Sequence, residues 1–213
     1  MKSILAKKNG FTIMELIITL SLLGIVLAVI YALFFYVQSS FNNANAHLNI
    51  NQQLNMAYMQ MEQDIRSAMK PNYLTDAIII SDDREMHIYT YDEAKNKYIR
   101  IAYRLDFSKN VVLERGLAIC SDNIPPADEN PEYETITDWE TLIDGVIERY
   151  NGKKSGFTLM SAASPTEYLK PTPTPIVRKT INITLIVNDP DNPMNEPVIS
   201  EKVLTSRSNS NPK

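Results

Sequence analysis

Residues 7–37 read KKNGFTIMELIITLSLLGIVLAVIYALFFYV, a short basic start followed by a long apolar run. No charged residue occurs from Leu16 to Val37. As a helix rising about 1.5 Å per residue, this run would be about 33 Å long, which is enough to cross a bilayer core. Buried helices of soluble domains seldom hold about 18 or more such residues in succession. The sequence therefore predicts one membrane-spanning helix over residues 11–37.

Lysines before the apolar run predict its orientation. Lys2, Lys7 and Lys8 precede the run, and the next formally charged residue after Glu15 is Glu62. Because basic residues favour the cytoplasmic side, we expect a cytoplasmic N-terminus and an extracellular head. In an ordinary secretory signal the cleavage site follows the apolar region. Here the candidate cleavage residue, Gly10, precedes it, so residues 1–10 are typical of a different kind of leader.

Glu15 is the one acid at the edge of the apolar run. A carboxylate there is costly unless it is paired or reaches the membrane interface, and in an uncut chain it can be explained as an interfacial anion. If the chain is cut between Gly10 and Phe11, Glu15 becomes the fifth residue of the new chain. It would then lie in a first helical turn whose free N–H groups and dipole favour an anion.

The pattern from Lys7 to Leu16 resembles the prepilin leader of the type IV pilin and type II secretion pseudopilin superfamily. The resemblance implies that a prepilin peptidase cuts between Gly10 and Phe11 and that Phe11 is then N-methylated. It also implies that Glu15 pairs with the Phe11 amino group of an adjacent subunit. Such a pair can set the axial register between helices more than it adds net stability, because each charge offsets the burial cost of the other.

One departure from the family pattern favours a minor subunit. Many major pilins carry a proline at the position that matches Ala32, and here no proline occurs between Phe11 and Lys70. Since proline removes a hydrogen bond and clashes with the preceding turn, this helix should be harder to break at that point.

The segment Met59–Ala68 resembles the helix end of J-type minor pseudopilins and W-type minor pilins, where an acidic stretch followed by Asp-x-Arg is common. An alternative remains open: Glu62, Asp64 and Arg66 can simply form the solvated face of the helix.

Residues 38–70 predict an amphipathic continuation of the helix. A polar stretch follows Val37, and the apolar residues then recur at helical spacing. We expect the helix to end at Lys70, because Pro71 disfavours helical geometry in the residue before it. The predicted apolar stripe comprises Ile50, Leu54, Tyr58, Met61, Ile65 and Met69.

Residues 71–205 predict a β-rich head, and residues 206–213 a disordered tail. Short alternating or apolar runs are separated by turn-forming clusters, which predicts an antiparallel meander followed by a late pair of strands that closes the sheet. The expected fold class is α+β, a long hydrophobic-then-amphipathic helix packed on an antiparallel sheet. Expected strands are 77–80, 86–91, 98–103, 111–113, 142–147, 157–160, 177–187 and 198–204. For residues 142–147 a short helix is the alternative, and a strand is favoured. Residues 165–175 should be an extended, proline-rich linker.

Catalytic and metal-binding motifs are missing from the sequence. One cysteine and two histidines are too few for a Cys/His zinc site, and no nucleophile elbow or P-loop occurs. We interpret Cys120 as a small loop residue. The loop around Asp189–Glu196 could hold calcium, but a solvated turn is the favoured interpretation because the EF-hand spacing is missing. We therefore expect no enzyme activity, no cofactor and no metal.

The leading hypothesis is a structural minor pilin or pseudopilin that initiates, caps or modulates a cell-surface filament. Implied partners are other pilins, the prepilin peptidase, the inner-membrane assembly platform and, before assembly, the membrane. An adhesin or cargo-binding subunit is the alternative, and a membrane-tethered hydrolase is a weaker one. With a net charge of −4 and basic residues interleaved with acids, nucleic-acid binding is disfavoured but open. The pattern does not separate pilus, secretion and competence systems.

Overall fold

A computed structural model of the chain describes residues 11–72, 75–108, 111–121, 131–160, 179–189 and 196–206. The chain divides into two compact units, Met1–Ala46 and His47–Lys213. One helix is described, α1 (Ile13–Ser67). The described strands are β1 (Ile78–Asp82), β2 (Glu85–Asp92), β3 (Lys97–Asp106), β4 (Val112–Ile119), β5 (Trp139–Ile143), β6 (Arg149–Tyr150), β7 (Lys153–Lys154), β8 (Gly156–Met160), β9 (Thr180–Val187) and β10 (Val198–Thr205). The predicted α+β class is confirmed.

In the first unit, α1 is exposed along its whole apolar length. An 18-residue window of this helix has a mean hydropathy of 2.8 and is 0% buried within the chain. By length and composition the helix is able to cross a membrane, as the apolar run predicts.

In the second unit, α1 buries one stripe of side chains. The predicted residues Ile50, Leu54, Tyr58, Met61 and Ile65 are all buried, and they pack with apolar side chains of the sheets in a single core. The helix ends at Ser67, three residues before the predicted Lys70. The helix stops there because backbone groups at its end bond to β2 instead: Met69 N donates to Tyr89 O (2.7 Å), and the Thr90 hydroxyl donates to Ser67 O (3.0 Å). Both bonds tie the last turn to β2.

The first five strands form an antiparallel sheet of order β1-β2-β3-β4-β5, so the predicted meander is confirmed. Strand β4 runs to Ile119, well beyond the predicted 111–113. Charged residues interrupt the apolar pattern of this strand, and each has a partner in the fold. Glu114 accepts from Arg104 Nε (2.6 Å), and Arg115 Nε donates to Asp64. An apolar pattern alone could not reveal a strand whose charges are satisfied within the fold.

The strand predicted at 142–147 begins earlier, at Trp139, and ends at Ile143. Gly145 has a φ of 74°, a conformation that ends the strand and that glycine adopts at little cost. In the remainder of the predicted range 142–147, only Val146 pairs, in a single bridge to Val187.

A second sheet has the order β10-β9-β8, so the expectation that residues 198–204 close the first sheet is wrong. Strand β10 pairs along its full length with β9 instead. It also meets α1, where the Tyr58 hydroxyl donates to Ser200 O (3.1 Å). The two sheets touch where Phe157 N donates to Asp83 O (2.8 Å).

A small hairpin, β6–β7, is missing from the prediction. Asn151 and Gly152 both have positive φ, 49° and 78°, which is the geometry of a type I′ turn. Asn-Gly is a strong local signal for this turn, but strands of two residues are too short to show alternation.

Several predictions lie outside the described residues: the leader (1–10), the linker (165–175), most of the acidic loop near Asp189, and residues 207–213 of the tail. Ser206, placed in the tail by the sequence, is 2% exposed and exchanges hydrogen bonds with Lys179 (2.9 and 3.0 Å). At that residue the tail prediction is wrong.

Candidate functional site

The start of α1 is held by a reciprocal pair of side chains, Thr12 and Glu15. Thr12 N donates to Glu15 Oε2 at 3.0 Å, and the Thr12 hydroxyl donates to the same oxygen at 3.1 Å. In return, Glu15 N donates to Thr12 Oγ1 at 3.3 Å. This is a capping box, in which an N-cap threonine and a glutamate three residues later satisfy each other's free backbone donors.

The local sequence explains why the helix begins here. Threonine is a favoured N-cap residue because its hydroxyl oxygen accepts from a first-turn N–H. Glutamate in the first turn also interacts favourably with the positive end of the helix dipole. Helical geometry accordingly begins at Ile13, directly after Thr12.

The capping box uses only one oxygen of the Glu15 carboxylate. Both Thr12 donors bind Oε2, and Oε1 has no hydrogen-bond partner among the described residues. The side chain is exposed. The arrangement therefore orients a carboxylate at the helix start and leaves an acceptor available for a cation from outside the unit.

Two hydroxyls beyond Glu15 are satisfied within the helix. The Thr19 hydroxyl donates to Glu15 O and Leu16 O, both at 2.9 Å, and the Ser21 hydroxyl donates to Ile17 O at 2.8 Å. Back-bonding of this kind lets polar residues lie in an apolar span without an unsatisfied donor.

Of the predicted site residues, Phe11 lies just ahead of the cap and is 79% exposed, while Gly10 lies outside the described residues. Glu15 is in the first turn, as the sequence predicts. The partner that sequence reasoning missed is Thr12, although the pattern Thr-x-x-Glu before an apolar run is a known signature of a helix start.

The head contains a second charged cluster that the sequence misassigned. Asp64 is only 6% exposed, so the interpretation of Glu62, Asp64 and Arg66 as one solvated face is wrong for Asp64. Its Oδ2 accepts from the Tyr103 hydroxyl (2.5 Å) and from Arg115 Nε (2.9 Å). Burial and the adjacent carboxylate raise the pKa of Tyr103, which keeps the phenol protonated as a donor. Glu62 and Arg66 do lie on the solvated face, where they form an ion pair.

Other candidate chemistry in the head is sparse. Cys120 is buried and pairs with Tyr133 in an isolated bridge, so it is not the loop residue that the sequence predicts. Across the described ranges, no group of three or more His, Cys, Asp or Glu side chains is placed to hold a metal ion.

Comparison with known families identifies the N-terminal segment. The family model described as the prokaryotic N-terminal methylation motif matches residues 5–31, which include the capping box and most of the apolar run. Comparison with curated proteins and with solved structures finds no match. With this motif at the start of a long apolar helix and an antiparallel sheet beyond it, the chain is similar to proteins of the type IV pilin and pseudopilin superfamily.

Proposed function

We propose that this protein is a structural subunit of a type IV pilus-like filament, with the rank of a minor pilin or pseudopilin that initiates, caps or modulates the filament. The observation that carries the proposal is the helix start, where a methylation motif orients Glu15 ahead of a fully exposed apolar helix. The motif belongs to a structural family rather than to an enzyme family.

Processing comes first in this proposal. The prepilin peptidase cuts between Gly10 and Phe11 and methylates the new amino group of Phe11. Intact-mass and N-terminal peptide analysis of the protein from its native cells tests this step directly. The expected product begins at N-methylated Phe11, and any other mature start would contradict the proposal.

Assembly then uses Glu15. The capping box leaves Oε1 available, and the positive amino group of Phe11 in a neighbouring subunit can donate to it. In apolar surroundings each charge offsets the desolvation cost of the other, so the pair selects one axial position between subunits.

Substitutions at Glu15 test this pairing. Glu15→Ala and Glu15→Gln should both abolish incorporation into sheared filaments while leaving the amount of membrane-bound protein unchanged. Glu62→Ala is the matched control, because Glu62 is also a glutamate of α1 but lies in the second unit, where it pairs with Arg66. Normal incorporation of Glu15→Ala would refute the pairing.

Exposed apolar side chains support contacts between helices. Beyond the apolar run of the first unit, α1 exposes Leu48 (58%), Met56 (63%) and Met59 (69%) within the second unit. These side chains lie on the side of the helix that the sheets leave uncovered, and burial against other helices would be favourable. We assign this face to other pilins in the filament, and the membrane to the first unit before assembly.

Topology and rank complete the proposal. We place the N-terminus in the cytoplasm and the head outside, so protease added to intact cells should digest the head.

The absence of proline from residues 11–70 supports minor rank. Quantitative mass spectrometry of purified filaments should find far fewer copies of this chain than of the major subunit, and equal abundance would contradict minor rank.

A further inference from the structure

The apolar stripe of α1 does not by itself determine where the helix lies along the sheets. Its buried residues are Ile50, Leu54, Tyr58, Met61 and Ile65, which recur at intervals of one helical turn. A shift of one turn, about 5.4 Å, would put all but the terminal one of these side chains in the place of another. Because apolar burial is non-directional, several axial positions of the helix would bury similar apolar surface.

Asp64 differs from the stripe, because its partners are fixed in position. Its Oδ2 accepts from Tyr103 on β3 (2.5 Å) and from Arg115 on β4 (2.9 Å), and Gln60 Nε2 donates to Oδ1 (3.3 Å). Tyr103 and Arg115 are direct cross-strand neighbours. The two donors therefore converge on one point of the sheet, and a carboxylate on the helix must come to that point.

Because this cluster is buried, the carboxylate of Asp64 has to meet both of its donors. The side chains of Asp64 and Arg115 are 9% and 15% exposed, and Tyr103 is 0% exposed. After a one-turn shift the carboxylate would lose both donors, and Arg115 would be left without a charged acceptor in a largely dry site. An unpaired buried charge is strongly destabilising, so shifted positions are disfavoured by charge rather than by shape.

Neighbouring hydrogen bonds select the position less strongly. The Tyr58 hydroxyl donates to Ser200 O, and the Thr90 hydroxyl donates to Ser67 O. Both bonds join neutral groups, one at a partly buried site and one at an exposed site, and a bond between neutral groups contributes less than a bond to a charged group. Loss of the partners of the buried Asp64 carboxylate therefore costs more than loss of either neutral bond.

We infer that Asp64, Tyr103 and Arg115 form a register lock, which selects one axial position of α1 on the head and contributes specificity more than stability. Buried ion pairs can often be replaced by apolar residues without loss of stability, and their best-attested use is to specify register. This inference concerns the head alone and holds whether or not the chain enters a filament.

Double electron–electron resonance, which measures the distance between two spin labels, tests the register lock on the full chain in detergent. Spin labels at Gln52→Cys, on the exposed face of α1, and at Lys95→Cys, in the β2–β3 turn, report the axial position, with Cys120→Ala as background. Both label sites are exposed. With the lock intact we expect one narrow distance distribution.

The decisive variant replaces the cluster by apolar residues, Asp64→Leu with Tyr103→Phe and Arg115→Met. We expect a similar urea midpoint and a second distance population displaced by about 5 Å, one helical turn. A single wild-type distance would overturn the lock. A variant that no longer folds would also overturn it, because the cluster would then supply stability rather than specificity.

A second variant and a control complete the design. Asp64→Asn keeps the shape but removes the charge, and it should broaden the distance distribution while helix content by circular dichroism is retained; an unchanged distribution counts against the lock. The matched control is Glu62→Leu with Arg66→Met, which removes the surface pair formed by the residues two before and two after Asp64. This control should keep the single distance.

Discussion

Replacing Thr12 by valine should loosen the first turn of α1 without affecting the rest of the helix. Valine keeps the shape of threonine but removes the hydroxyl, so two of the three capping bonds are lost: the 3.1 Å bond to Glu15 Oε2 and the 3.3 Å bond from Glu15 N. The 3.0 Å bond from Thr12 N remains. Loss of an N-cap costs about 0.5–2 kcal/mol, and with one bond retained we expect about 1 kcal/mol.

Amide hydrogen exchange followed by NMR on the full chain in detergent micelles measures this change. A loss of about 1 kcal/mol corresponds to roughly fivefold faster exchange, since 1.4 kcal/mol is a factor of ten. The effect should be largest at Glu15 and Leu16, whose amides bond to Thr12 Oγ1 and Thr12 O. Thr19→Val is the matched control, because it removes a hydroxyl that bonds back to Glu15 O and Leu16 O but caps nothing. Unchanged exchange in Thr12→Val, or equal effects of both variants, would refute the capping argument.

Three further predictions concern the head, each checked by urea unfolding of the full chain in detergent. Gly156→Ala should lower the free energy of unfolding by about 1–3 kcal/mol through overpacking, because a Cβ there would lie 2.8 Å from Asp83 O. Gly152→Asn, where nothing lies within 4 Å but φ is 78°, should lower it by less, because asparagine tolerates the left-handed conformation better than most residues do. Burial lowers the pKa of His87 below its ordinary 6.5. As pH falls, His87 is therefore protonated in the unfolded chain at a higher pH than in the folded chain. Stability should therefore decline below about pH 6.5, and His87→Gln should flatten that decline; an unchanged slope would exclude His87 as its source. Val111 has a φ of 53°, which strains a β-branched residue, so Val111→Gly should raise the free energy of unfolding by about 1 kcal/mol, and a loss would contradict the strain.

The features that could be predicted from sequence are those that depend on residues close to one another in the chain. The apolar run, the buried stripe from Ile50 to Ile65 and the meander all follow from the spacing of apolar residues. Glu15 could be placed in a first turn because the motif around it is contiguous. Thr12 carried an equally local signal and could have been found from Thr-x-x-Glu.

The features that were not predictable depend on partners far away in the chain. Asp64 is buried because Tyr103 and Arg115 stand 39 and 51 residues further on, and no local pattern separates it from its solvated neighbour Glu62. The sheet to which β10 belongs is likewise decided by its pairing with β9. An alternating pattern predicts that a strand forms but not which strand it joins.

The bond between Tyr58 and Ser200 has a consequence for the order of events during synthesis. These residues are 142 positions apart, so the core around the helix cannot be completed until the ribosome has made nearly all of the described chain. Contacts of such long range slow folding, because a large loop must close before they form. The apolar helix emerges first and can enter the membrane while the head is still unfolded. The nascent head therefore has to be kept from aggregating until β10 has been made.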